Sequence, residues 1–156
     1  MLRIAKLTDY AIVVLAHLAR EAHVCVHAAP AVSEATGVPQ PTVEKVLKQL
    51  ARGGLLVSSR GIHGGYSLAR DPAAISVAQV IDTIEGPVGL TACSGVEGEA
   101  CADEGHCQVS GHWSSIHDAV RGALEAVSIL DLSRPAQPAI RRASASGDVL
   151  ALRAGK

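Results

Sequence analysis

Apolar residues recur along this chain in blocks of helical spacing, and the breaks between blocks fall on glycine and proline. The clearest block is VPQPTVEKVLKQLARGG (38–54). Val43, Val46, Leu47 and Leu50 stand at i, i+3, i+4 and i+7, which makes one buried stripe of an amphipathic helix. Thr42, Glu44, Lys45, Lys48 and Gln49 fall on its other faces. Pro41 suits the first turn, where a missing N–H leaves no helical bond unmade. Upstream, a helix is expected from Thr8 to about Glu21, with Thr8 as N-cap. Tyr10, Val13, Val14 and Leu18 mark its apolar face, and Ile12 and Leu15 blur the stripe. Between them PAVSEATG (30–37) reads as a short helix closed by Gly37 in a left-handed cap.

Beyond the Gly53-Gly54 stop the period changes. LLVSS and YSLAR read as two short strands around RGIHGG, a glycine-rich hairpin tip that carries Arg60. In SVAQVIDTIEGP (76–87), Ser76 and Gln79 have the spacing of a capping box, and Val77, Val80, Ile81 and Ile84 give a further helical stripe. Later, Trp113, Ile116, Val120, Ala123, Val127 and Leu130 alternate in steps of three and four, a heptad-like seam that predicts a helix over 113–132. Such a seam suits a helix that packs across a two-fold axis, and a homodimer is expected. The tail from 133 is rich in Ala, Ser, Pro and Arg, with too little apolar pattern to form a core.

Short helix, glycine turn, amphipathic helix and basic hairpin, in that order, spell a winged helix-turn-helix within a mainly α fold, followed by a long C-terminal helix. The expected division is a DNA-binding module over 1–86, a cysteine-rich loop over 87–112, a dimerisation helix over 113–132 and a basic tail over 133–156. The second helix of such a module offers its first turns to base edges in a major groove. Lys45, Lys48 and Arg52 are placed to neutralise phosphates, and Arg60 on the wing to reach a minor groove.

Charge sharpens this picture. The 156 residues carry a formal net charge of only −1, but residues 1–75 are net +3, and 93–113 hold four carboxylates and no Lys or Arg. A polyanion is therefore met by the first half of the chain. With 2% aromatic residues and no Phe, the core is built of Val, Leu, Ile and Ala. No apolar run approaches the roughly 20 residues that span a bilayer. The N-terminus, with Asp9, His17 and Arg20 and no small-residue cleavage site, does not read as a signal peptide, so a cytoplasmic location is expected. No CxxC, nucleotide-binding glycine pattern or nucleophile–base arrangement is visible, which argues against an enzyme.

The remaining chemistry lies in CSGVEGEACADEGHCQVSGHW (93–113). Clustered cysteines in a reducing compartment are more often metal ligands or redox centres than structural disulfides. Cys93, Cys101 and Cys107 are separated by seven and five residues, whereas zinc sites favour pairs two to four apart. Iron–sulfur clusters are held mainly by thiolates, and the spacing favours a cluster over zinc. Cys25, within HVCVHA, reads as a small packed residue. The alternative is a cluster-free protein whose cysteine loop is a redox switch or a docking site for a partner.

KLTDYAIVVLAHLA, ATGVPQPTVEKVLKQLARGGLLVSSRGIHGGYSLAR, ISVAQVIDTIEGP and the three-cysteine loop ahead of Trp113 together resemble the iron–sulfur-dependent winged-helix regulators of the IscR and NsrR type. The branch most similar is that of the SUF-system iron–sulfur assembly regulators, and the likeness covers about residues 1–132. It implies a homodimeric transcription factor on double-stranded operator DNA, controlling cluster-assembly genes and served by cluster-assembly proteins as donors. A [2Fe-2S] or [4Fe-4S] cluster would be held by Cys93, Cys101 and Cys107. The family's DNA contacts map onto Pro41, Thr42, Glu44 and the wing's Arg60. Departures are visible. The first cysteine gap is longer than the usual five residues, and the family's histidine ligand position holds Ser110, with His106 and His112 displaced from it. Asp9 matches the aspartate that supplies the fourth ligand from the partner subunit in the nitric-oxide-sensing branch.

Overall fold

The computed structural model describes residues 3–21, 26–61, 64–87, 89 and 110–135. Helix α1 (Lys6–Arg20) leads into α2 (Ala29–Thr36) and α3 (Gln40–Arg52), then the antiparallel strands β1 (Leu56–Ser59) and β2 (Gly65–Leu68). A single 3-10 turn (Pro72–Ala74) precedes α4 (Val77–Glu85), and α5 (Ser110–Glu125) and α6 (Ile129–Ser133) follow. Helices α1, α3 and α4 meet around one aliphatic core, with Val14, Leu15, Val43, Val46, Leu47, Leu50, Ile75 and Val80 fully buried.

Helix α1 differs from expectation at its start and on its faces. It begins at Lys6, and its N-cap residue Ala5 supplies no side-chain bond. The capping group comes from the other end of the module: Glu85, the last residue of α4, accepts the Ala5 N–H at 3.0 Å and the Thr8 hydroxyl on the same oxygen, Oε1. Thr8 is thus not the N-cap but a buried residue of the first turn, tied to α4. The inward face is Ala11, Val14, Leu15, Leu18 and Ala19, and Val13 is left exposed. Leu15, which blurs the sequence stripe, is a core residue because the helix is covered on two sides, by α3–α4 and by α6.

Helices α2 and α3 form as expected. Gly37 takes φ +70°, a left-handed conformation that costs glycine little, and its N–H closes α2 on the Ser33 carbonyl at 2.9 Å. Two prolines frame the start of α3, Pro39 as N-cap and Pro41 inside the first turn. At its far end Gly53 lies so close to α4 that a Cβ there would stand 2.3 Å from the Thr83 methyl.

The wing pairs Leu56 with Leu68, Val57 with Ser67, Ser58 with Tyr66 and Ser59 with Gly65. Its glycines have separate reasons. A Cβ on Gly64 would meet the Ser59 carbonyl oxygen at 2.5 Å, and one on Gly65 the His27 carbonyl oxygen at 2.4 Å. The second contact exists because the chain entering α2 adds a strand-like bridge to β2. His27 and Tyr66 exchange backbone N–H···O bonds of 2.8 and 2.9 Å.

The largest departure is in the C-terminal helix. Instead of one helix over 113–132, α5 stops at Glu125 and a new helix starts after Ser128. Ser128 and Asp131 form a capping box, and Ser128 also bridges Ser76, the N-cap of α4. Val77 N–H donates to the Val127 carbonyl at 2.9 Å and Ile129 N–H to the Ile75 carbonyl at 2.8 Å. These bonds use backbone groups that a continuous helix would keep to itself. In return Ile129 reaches the core with no exposed surface, α6 lies along α1, and the Arg20 Nε–H donates to the Ser133 carbonyl at 2.9 Å. Residues 127–133 are therefore built into the helical module and do not extend the seam helix.

Candidate nucleic-acid interface

The start of α3 is an exposed, rigid edge. Pro41 is exposed, Thr42 and Glu44 are half-buried, and Lys45 and Lys48 point outward from the buried Val43–Leu50 stripe. Gln40 donates an amide hydrogen to Glu44 Oε1 at 3.0 Å, across one turn. Arg60 is exposed immediately after β1, as the wing placement requires. Among the described residues Lys45, Lys48, Arg52 and Arg60 make no ion pair and no side-chain hydrogen bond.

The second half of α3 faces the wing across a cleft of about 270 Å³, lined by Lys48, Ala51 and Arg52 from the helix and Ser58 and Tyr66 from the two strands. Two cations and two hydroxyl-bearing side chains converge there with no carboxylate in the lining. That donor set suits an anion, and its position between helix and wing suits a phosphodiester backbone. Ser58 and Tyr66 were not singled out in the sequence. The signal that finds them is strand register: they are directly opposed cross-strand partners and share one face of the hairpin.

The thiol chemistry is placed differently. Cys25, Cys93, Cys101, Cys107 and His106 lie outside the described residues, as does the side chain of Ser110. Of the other fourth-ligand candidates, Asp9 is exposed in the first turn of α1 and His112 is exposed near the start of α5. Among the described residues no group of three His, Cys, Asp or Glu side chains is gathered to hold a metal ion. Nor, among them, is any helix long and apolar enough to cross a membrane.

Helix α5 touches the module mainly through α4. Arg121 is the tie, with Nη2 2.9 Å from Asp82 Oδ2 and Nε 2.9 Å from Glu125 Oε1. The hydrogen bond and charge of Asp82 raise the guanidinium pKa further above its ordinary value. Burial divides the expected seam. Trp113, Val120 and Leu130 are half-covered by the chain itself, while Ile116, Ala123 and Val127 are open to solvent, Ile116 by 45%.

A helical pair with a two-stranded wing and a cationic helix–wing cleft defines the winged-helix class of regulators. Within that class the Rrf2 family, described as iron-dependent transcriptional regulators, matches residues 4–135, and the chain belongs to this family. It is 34% identical over 101 residues, 65% of this chain, to the HTH-type transcriptional regulator IscR of Photorhabdus laumondii, and 33% identical over 101 residues to that of Xenorhabdus nematophila. The match spans 60% of the length of each of these relatives. Among solved structures, CymR, the global cysteine regulator of B. subtilis, is similar with a TM-score of 0.67 and 27% identity, covering 85% of this chain and 97% of that one. The IscR of T. potens shares the fold, with a TM-score of 0.63 at 22% identity over 88% of this chain and 94% of its own. These relatives are transcriptional regulators and not enzymes.

Proposed function

We propose that this chain is a homodimeric, cytoplasmic DNA-binding regulator. It reads a double-stranded operator with α3 and the wing, and reports iron–sulfur cluster status through Cys93, Cys101 and Cys107. The observation that carries the DNA reading is the helix–wing cleft, where Lys48 and Arg52 stand without a carboxylate partner. Two neighbouring cations of α3, faced across the cleft by the hydroxyls of Ser58 and Tyr66 from the wing, form a donor surface that a polyanion neutralises. Pro41, Thr42 and Glu44 then face base edges, Lys45 and Lys48 the phosphates, and Arg60 the adjacent groove. The open face of α5 supports the dimer, since Ile116 and Ala123 stand exposed on it among the described residues.

The cluster reading rests on the donor set. Three thiols in a stretch free of lysine and arginine fit a thiolate-ligated iron–sulfur group, and the close cysteine pairs of a zinc site are absent from the sequence. Such a group supplies a labile, redox-active centre, and this chain's part is to hold it with three thiolates and one weaker ligand, for which exposed Asp9 is a candidate. Genes of iron–sulfur assembly, of the SUF type, are the proposed targets, and cluster-assembly proteins the proposed donors. Anaerobic purification with iron and sulfide analysis tests the sensor. A coloured protein that loses its chromophore on substitution of Cys93, Cys101 or Cys107 by Ser, but not of Cys25, supports it; full cluster retention in Cys101→Ser overturns the ligand set. Operator binding is tested separately: Arg60→Ala should weaken it by about 1–3 kcal/mol if the side chain reads a base and by less if it touches phosphate. Unchanged affinity removes the wing from the interface.

A further inference from the structure

We infer that Gln40 is a specificity-determining residue, which positions the Glu44 carboxylate to read a cytosine in the major groove. The inference rests on the DNA-binding reading above and deepens it. A carboxylate at the reading edge of a helix that meets a polyanion is repelled by phosphates and by the acceptor atoms of guanine and thymine. It is rewarded where a base presents an amino donor with no acceptor beside it on the major-groove edge, as cytosine does through N4; the N6 donor of adenine adjoins the N7 acceptor, which repels a carboxylate. Glu44 stands at that edge, half-buried, and Gln40 donates to its Oε1 at 3.0 Å. Among the described residues this is the only hydrogen bond between two side chains of α3.

The geometry gives the pair a defined role. A residue and its neighbour four positions on share a helix face, so the bond closes over one turn without strain. It commits one carboxylate oxygen to the protein and leaves the other as the acceptor for a base. A free glutamate would have to lose rotamer freedom on binding, whereas the bonded one has lost part of it beforehand. The backbone beneath is fixed as well, because Gln40 lies between Pro39 and Pro41 at the start of α3. Gln40 therefore acts through Glu44, as a positioning residue.

Selection of operators from a random double-stranded DNA pool, followed by competition with single-base variants, tests this with the full chain. The wild-type protein should prefer cytosine over thymine at one symmetry-related position in each half-site, by about tenfold. Gln40→Ala should lower that preference by about threefold while leaving binding to unrelated DNA unchanged, a pattern that loss of a purely structural contact would not give. Glu44→Gln should abolish the cytosine preference, and adding Gln40→Ala to it should change the base profile no further. An unchanged profile in Gln40→Ala, or an equal effect of Gln40→Ala with and without Glu44→Gln, overturns the inference and leaves the DNA reading standing. A wild-type chain that selects no sequence overturns both. Gln40 is exposed in the first helical turn, so circular dichroism should show the fold intact in every variant.

Discussion

Helices α3 and α5 are both amphipathic, and their apolar faces meet opposite fates. In α3 the four stripe residues Val43, Val46, Leu47 and Leu50 are all sealed within the chain. In α5 the stripe is divided, and Ile116 and its neighbours on the open side face solvent. The same spacing thus marks a finished interior in one place and an unfinished one in the other. The winged-helix module buries its stripe within one copy of the chain, and the exposed side of α5 is where the proposed dimer would form.

The comparison breaks most severely at Ile116. Ile116→Asp should cost association about 3 kcal/mol or more, by placing a carboxylate in the dimer seam, while the circular dichroism of the module is retained. Sedimentation velocity decides it: a wild-type chain already monomeric at micromolar concentration removes the contrast between the helices. On the other side of the contrast, Ile129→Ala should destabilise the fold by about 2–5 kcal/mol in chemical denaturation, while leaving self-association as in the wild type. A loss below 1 kcal/mol, on the scale of a surface substitution, would return residues 127–133 to the seam helix.

Smaller effects sharpen the comparison. Arg121→Ala removes the ion pair with Asp82, but both partners are part-exposed, so the loss should stay below about 1 kcal/mol in urea unfolding. Its signature should be local, in faster amide exchange along α5 than along α3. The smallest effect is one of pH. The hydroxyl of Ser128 and then its backbone N–H hold the Asp131 carboxyl below its ordinary pKa. Its contribution is therefore full above the ordinary carboxylate pKa and is lost as pH falls through the lowered one. Amide resonances of α6 should shift and broaden in acid before those of α3; simultaneous changes would mean that α6 has no separate cap.

These differences also explain what the sequence could disclose. Helix α3 was legible because its stripe, its proline start and its glycine end are all local signals, and the Ser76–Gln79 box was legible for the same reason. The start of α1 was not, because its cap is Glu85, which is distant in sequence and near only in the fold. The break before α6 had a local sign in the Ser128–Asp131 spacing, but the heptad pattern ran through it and periodicity alone could not choose. At the candidate interface, the exposure of the α3 lysines and of Arg60 followed from the helical stripe and the hairpin tip. Ser58 and Tyr66 needed strand register, and the Gln40–Glu44 bond needed side-chain geometry.

The bridge between Ser76 and Ser128 has one more consequence. The backbone bonds between the start of α4 and residues 127–129 hold the two ends of the intervening sequence together. The entropy of closing such a loop grows only logarithmically with its length, so each doubling costs the module about 0.6 kcal/mol. Insertions and deletions between α4 and residue 127 are therefore inexpensive for the helical module. The long first cysteine gap is a difference that such an architecture tolerates at little expense.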